Sequence, residues 1–142
     1  SPGQTLQNLA EDLFFISKFR PEMVGIGPFI SHKSTPFAKA KNGSLDLTLY
    51  LLSILRIMLP KVLLPATTAL GSIDPRGREL GILAGANVIM PNLSPEDTRD
   101  KYSLYDNKLK TGPEAAEGLK ELAKRLAEID CKIAIARGDF PG

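Results

Sequence analysis

The sequence contains little of the material from which metal centres and disulfide frameworks are built. Its 142 residues include one cysteine, Cys131, one histidine, His32, and no tryptophan. A single thiol cannot form a disulfide within the chain or a cysteine-based metal site. We therefore predict no metal ligands in this chain, and its cysteine usage is typical of a reducing, cytoplasmic compartment.

Charge of one sign and long hydrophobic runs are also scarce. The net charge is +2, from 18 basic and 16 acidic side chains, which is too small to indicate nucleic acid or an anionic membrane as a partner. The longest apolar-rich stretch, residues 45–59, contains an aspartate and an arginine and is too short to span a bilayer. We expect partners of neither class.

Motifs that would mark a self-sufficient enzyme are missing. The sequence has no P-loop, no G-x-G-x-x-G and no nucleophile with a histidine partner. His32 lies in a polar loop, where a lone histidine is more often solvated than catalytic. We assign no catalytic residue and predict that the chain is inactive alone.

What the sequence does contain is an alternation of helical and strand patterns. Leu6, Leu9 and Leu13 recur at helical spacing, Thr5 can cap that helix, and Pro21 should end it. Ser44 can cap a second helix that ends before Pro60, Asp74-Pro75 resembles a helix start, and Thr111 opens a long helix. Short apolar runs predict strands at 23–27, 62–66, 86–90 and 131–136. The alternation indicates an α/β fold with a parallel sheet.

Candidate ligand-binding stretches follow three of these predicted strands at the point where each ends. They are Gly27 to Ile30, Thr67-Thr68, and Met90-Pro91-Asn92. In folds built from βα units, ligands gather at the C-terminal ends of the strands. We expect the three groups to share one mouth, although ordinary turn residues would give a similar pattern.

Four stretches resemble a known family: PEMVGIGPFI at 21–30, PATTALG at 65–71, GANVIMPN at 85–92 and YSLY at 102–105. They are similar to HydE, the family of radical SAM maturases of [FeFe]-hydrogenase, to which biotin synthase and methylornithine synthase are related. The resemblance runs from residue 2 to about residue 108 without an evident gap.

The resemblance implies a complete (βα)₈ barrel in which a C-x-x-x-C-x-x-C loop holds a [4Fe–4S] cluster that binds and cleaves S-adenosylmethionine. That cysteine motif is absent here. The chain is therefore expected to be a partial TIM barrel of about three parallel βα units, strands six to eight. On this interpretation residues 1–110 belong to the barrel and residues 111–142 form a C-terminal helix and a short strand.

Site residues are implied by the same resemblance. Those on the adenosyl side are Gly27, Pro28, Phe29 and Ile30. Those lining the inner cavity, which in HydE accepts an organometallic iron substrate, are Met23, Thr67, Thr68, Met90, Tyr102 and Tyr105. Threonine hydroxyls suit an anionic ligand because they donate hydrogen bonds without adding charge.

Three functions stay open from the sequence. The first is the C-terminal part of a HydE-like enzyme, with the N-terminal half of the barrel and a small-molecule or organometallic substrate as partners. The second is a related radical SAM enzyme of the methylornithine synthase or biotin synthase type, and the third is a non-catalytic, barrel-derived binding module. In the isolated chain the open sheet edges also predict a homo-oligomer.

Overall fold

Helices alternate with short parallel strands along the chain, which confirms the predicted α/β class. The computed structural model describes residues 2–90 and 115–141. Within those ranges the elements are α1 (Leu6–Phe19), α2 (Leu45–Met58), β1 (Pro65–Ala66), α3 (Thr68–Ile73), α4 (Gly77–Leu83), β2 (Val88–Ile89) and α5 (Ala115–Ala127).

The strand segments lie side by side in chain order. β1 pairs in parallel with β2, with Pro65 opposite Val88. A parallel bridge joins Met23 to Leu63, where Val24 N donates to Leu63 O at 2.9 Å. The predicted strands at 23–27, 62–66 and 86–90 thus correspond to three neighbouring segments, each with a shorter ladder than expected.

The first two helices begin where the sequence places their caps. The Thr5 hydroxyl accepts from Asn8 N at 3.2 Å, and the Asn8 side chain accepts from Thr5 N at 3.1 Å, which is a reciprocal capping box. Ser44 Oγ accepts from Leu47 N at 3.2 Å. α1 ends at Arg20, whose φ is 50°, immediately before Pro21. These predictions are confirmed.

The connection between β1 and β2 differs from the prediction. One helix starting at Asp74-Pro75 was expected, but the structure has two, and α4 is capped at Arg76. Asp74 instead forms a turn, since its carboxylate accepts from Arg76 N at 2.7 Å and its carbonyl from Gly77 N at 2.8 Å. α3 is only six residues long, too short to give a periodic pattern.

The core lies between the strand segments and the helices that follow them. Its largest fully buried side chains are Leu52, Leu55, Leu64 and Leu70. Leu13 and Ile16 of α1 pack against this cluster and are half-buried. Burying aliphatic side chains of this size stabilises the fold by about 1.5–3 kcal/mol each.

The C-terminal region is partly as predicted. α5 is present and buries Leu122 and Leu126. The strand predicted at residues 131–136 is wrong: that stretch has no strand, and Ile135 is fully exposed. A short apolar run forms a strand only beside another strand edge, and the described residues place none there. The predicted boundary between residues 110 and 111 lies outside the described ranges.

None of the helices in the described part of the chain is long and apolar enough to cross a membrane.

Candidate ligand site at the ends of the strands

The parallel register aligns three of the predicted site residues. An isolated parallel bridge places Met23 opposite Leu63, and the same spacing four residues further along agrees with the close approach of Gly27 to Thr67. Ala66 lies opposite Ile89, so the next residue pair is Thr67 and Met90. Parallel strands keep their register from one residue to the next, so Gly27, Thr67 and Met90 form one row at the C-terminal ends of the segments. We call this row the mouth.

The contact between Gly27 and Thr67 is direct. A Cβ atom placed on Gly27 would lie 2.8 Å from Thr67 Oγ1, closer than side chains normally approach. Any larger residue at position 27 would have to displace the threonine hydroxyl. The glycine therefore leaves room at the mouth for the Thr67 side chain.

The Thr67 hydroxyl is the group in this region that most clearly indicates a ligand-binding site. Its Oγ1 is buried and has no hydrogen-bond partner among the described residues. Thr67 is the N-cap residue of α3, yet its side chain makes no capping bond. A buried hydroxyl without a partner costs about 1–3 kcal/mol, and such groups are rare in folded proteins. A bound ligand that reached this atom would remove that cost.

Thr68 follows Thr67 in the chain, and Met90 extends the β1–β2 register by one residue. Thr68 is half-buried at the start of α3, and its carbonyl accepts from Ser72 Oγ at 3.1 Å. Met90 is 54% exposed, so a thioether is available to a ligand at the mouth.

Of the remaining predicted cavity residues, Met23 is described by the structure and is not brought to this row. Met23 lies four residues before Gly27, which is about 13 Å along an extended chain. It therefore sits toward the opposite end of its segment. Tyr102 and Tyr105 lie outside the described residues, as do Pro91 and Asn92.

The predicted adenosyl segment opens a loop that returns on itself. Pro28 is buried, and Phe29 and Ile30 are half-buried. Gly43 N donates to Phe29 O at 2.8 Å, and Ser31 N donates to Asn42 Oδ1 at 2.9 Å. These two bonds hold the backbone from Phe29 to Ser31 in a fixed position beside Gly27.

An open cleft of about 390 Å³ lies against this loop. It is lined by Pro2, Gly3, Phe29, Lys41, Asn42 and Gly43. Its volume falls in the range of small-molecule sites. Lys41, Asn42 and Gly43 were not predicted as site residues. The Asn-Gly pair just before the α2 cap could have indicated the tight turn that places them here. At Gly43 a Cβ would lie 2.8 Å from Phe29 N, so the close return of the loop requires glycine.

The residues present do not fit an iron–sulfur cluster. Cysteine thiolates normally supply the ligands, and the sequence contains one cysteine. The described residues contain no group of three or more histidine, cysteine, aspartate or glutamate side chains able to hold a metal ion. We therefore derive no chemistry through a cluster held by this chain.

Comparison with known proteins identifies the relatives. No family model matches the chain. It is 50% identical over 108 residues to the [FeFe] hydrogenase maturase subunit HydE of Thermotoga maritima, a match covering 76% of this chain and 31% of that protein. The chain is homologous to part of HydE. The resemblance expected from the four sequence stretches is therefore confirmed.

Two further relatives share less identity but more of the chain. The 3-methylornithine synthase of Methanosarcina barkeri is 30% identical over 97% of the chain, and that of Methanosarcina acetivorans is 29% identical over 87%. These matches cover 38% and 34% of the two synthases. The chain thus spans about a third of the length of HydE and of the other curated relatives it matches.

Proposed function

We propose that this chain is the C-terminal part of a HydE-like radical SAM enzyme and supplies strands six to eight of its (βα)₈ barrel. The parent would process an organometallic iron precursor during assembly of the [FeFe]-hydrogenase active-site cluster. Since the chain spans about a third of HydE, the cluster-binding cysteines would belong to the rest of the parent. The chain alone would be inactive.

One observation carries the proposal. Gly27, Thr67 and Met90 form the mouth, and the buried Thr67 hydroxyl lacks a partner among the described residues. In βα barrels the C-terminal ends of the strands bind ligand. The 50% identity to HydE extends over 76% of the chain, which supports ligand binding at the C-terminal ends of these strands.

Thr67 would serve the substrate side of the cavity. Its hydroxyl can donate one hydrogen bond to an anionic ligand without adding charge. Thr68 and Met90 would contribute on either side of it, and Tyr102 and Tyr105 would complete the lining. Gly27 would keep the hydroxyl in place by leaving room for it.

The loop from Pro28 to Ile30 would lie against S-adenosylmethionine. When bound to a reduced cluster, this cofactor supplies the adenosyl radical that starts the reaction. The part of this chain would be to orient the adenosyl group through backbone and apolar contacts. The two hydrogen bonds that close the loop, to Phe29 O and from Ser31 N, favour a preformed surface over one ordered by the ligand.

A second candidate is a 3-methylornithine synthase-like function. It is favoured by coverage: the M. barkeri relative matches 97% of the chain, whereas the HydE match covers 76%. Greater overall identity, 50% against 30%, favours HydE, and greater coverage favours the synthase. A direct functional comparison is needed to separate them.

Two chimeras provide that comparison. In the first, the remaining two thirds or so of Thermotoga maritima HydE is joined to this chain; in the second, the corresponding part of the M. barkeri synthase is used. Formation of 5′-deoxyadenosine reports S-adenosylmethionine cleavage in both. Maturation of [FeFe]-hydrogenase and formation of 3-methylornithine are then measured separately.

The proposal expects both chimeras to cleave S-adenosylmethionine and the HydE chimera to mature the hydrogenase. Methylornithine formation without maturation would favour the second candidate. If neither chimera cleaved S-adenosylmethionine although both folded, a binding module would be the better description.

A further inference from the structure

An ion pair between the half-exposed Arg125 and the buried Glu79 fastens the C-terminal helix α5 to α4. Arg125 Nη2 donates to Glu79 Oε2 at 2.8 Å, and Arg125 Nε lies 2.5 Å from Glu79 Oε1. The same guanidinium also donates to the carbonyl of Pro75, in the turn between α3 and α4. Glu79 is only 4% exposed. In this forked approach the contact between Nη2 and Oε2 is a hydrogen bond and the contact between Nε and Oε1 is a close ionic one, and together they fix direction as well as distance.

Two buried leucines lie beside Arg125 on the same helix. Leu122 and Leu126 lie three residues before and one residue after Arg125, and both are buried. Lys124 and Glu128 are exposed. α5 therefore has one buried face, on which Arg125 lies between two leucines.

α3 and α4 pack so closely that a displacement of α4 should also displace α3. A Cβ on Gly77 would lie 2.1 Å from Leu70 O, and one on Gly81 would lie 3.2 Å from Ala66 Cβ. Leu70 N in turn donates to Thr67 O at 3.1 Å. β1, α3 and α4 form one close-packed block that ends at Thr67, and packed interiors shift as units.

We propose that Arg125 is a positioning residue for the Thr67 hydroxyl, acting through Glu79 and this block. The inference rests on the proposed function, because it gives the C-terminal helix a role at the mouth described above. Without Arg125 the Glu79 carboxylate would be buried with no cationic partner shown among residues 2–90 and 115–141, which is strongly unfavourable. α4 then moves outward to hydrate Glu79, and Thr67 moves with it.

Methyl NMR on the 142-residue chain tests this without cofactor or catalysis. The threonine, alanine and methionine methyl groups are labelled, and Arg125→Met is compared with Lys124→Met, a change one position earlier on the exposed side of α5. We expect Arg125→Met to shift the Thr67 and Ala66 methyl resonances and Lys124→Met to leave them in place. The amides of α4 should exchange roughly a hundred-fold faster in Arg125→Met.

Two more variants keep the test decisive if Arg125→Met does not fold. Arg125→Lys keeps the charge but not the fork, so it should shift the Thr67 methyl in the same direction by less. The double change Glu79→Met with Arg125→Met removes the unpaired carboxylate, since buried ion pairs can be replaced by apolar side chains of similar volume. It should return the Thr67 resonance toward its original position.

An unchanged Thr67 methyl resonance in a variant whose α5 amides have lost protection would overturn the inference. So would a shift of equal size in Lys124→Met. If the resonances behave as expected but the chimeras fail to cleave S-adenosylmethionine, the proposed function fails while the coupling stands, so the two failures are distinguishable.

Discussion

Gly77 is the position where the structure makes its sharpest prediction about stability. It is the first residue of α4, and its α-carbon faces the last turns of α3. The β-carbon of an alanine there would lie 2.1 Å from Leu70 O, 2.5 Å from the Leu70 carbonyl carbon and 3.1 Å from Gly71 N. All three neighbours are backbone atoms, so no side-chain rotation can relieve the overlap.

The magnitude follows from what must move. Separating the methyl group from the Leu70 carbonyl requires α3 and α4 to part by about an ångström, which loosens contacts around the fully buried Leu70. Overpacking a core typically costs 1–3 kcal/mol, and an obstacle made of backbone should reach the upper end, about 3 kcal/mol. Domains of this size are stable by about 5–15 kcal/mol, so Gly77→Ala removes a large fraction of the total.

Urea unfolding followed by circular dichroism measures this loss. With a slope of about 1–3 kcal/mol per molar urea, the midpoint of Gly77→Ala should fall by roughly 1–3 M. Gly25→Ala is the matched control, since a Cβ there has nothing within 4 Å. Midpoints that agree for the two variants would refute the reasoning, because α3 and α4 would then tolerate separation at no cost.

Three other predictions concern the candidate site and the isolated chain. In the HydE chimera, Thr67→Val should impair hydrogenase maturation more than 5′-deoxyadenosine formation, by about 1–3 kcal/mol for a lost donor, and Thr68→Val should act in the same direction; equal losses of both activities would contradict a substrate-side role. Anaerobic reconstitution of the isolated chain with iron and sulfide should give no [4Fe–4S] cluster within one chain, because it has one cysteine, and a stoichiometric four-iron cluster by absorption and iron counting would contradict this. Sedimentation equilibrium at micromolar concentration should find a dimer or larger, because Phe14, Phe15 and Phe19 are exposed on α1 and the Met23 segment is paired on one side; a 15.4 kDa monomer would contradict it.

Local chemistry made much of the fold predictable. Thr5 and Ser44 cap their helices because their hydroxyls satisfy amides that no helix can satisfy internally, and that preference does not depend on the rest of the molecule. Gly85 follows α4 with a φ of 111°, as its residue type indicated. Neighbouring residues alone decide such features.

Features that depend on distant residues could not be predicted in the same way. Residues 131–136 form the short apolar run of a strand but have no strand beside them among the described residues, and a single sequence does not reveal the missing neighbour. α3 was not predicted because six residues would not form a helix alone and are stabilised by packing against α4. That packing requires a residue without a side chain at position 77.

For the candidate site, too, the features decided by local sequence were predictable and those that join distant residues were not. The strand ends identified Gly27, Thr67 and Met90, since any parallel sheet brings such positions to one edge. The contacts of Asn42 with Ser31, of Gly43 with Phe29 and of Arg125 with Glu79 join residues 11 to 46 positions apart. Such pairings are decided by folding and have no local signature.

Asn87 fixes the register of β1 against β2 at the end of the strands that lies away from the mouth. Leu64 N donates to Asn87 Oδ1 at 2.8 Å, while Leu64 O accepts from Asn87 N at 2.9 Å and from Val88 N at 3.1 Å. With so few ladder bonds between β1 and β2, this clasp prevents a one-residue slip that would turn every side chain to the opposite face. The contacts that fix the register lie away from the expected ligand site. Side chains at the ligand end can therefore change over evolutionary time without misaligning the strands. One scaffold can thereby support different chemistries in different descendants, as the shared ancestry with a hydrogenase maturase and with methylornithine synthases requires.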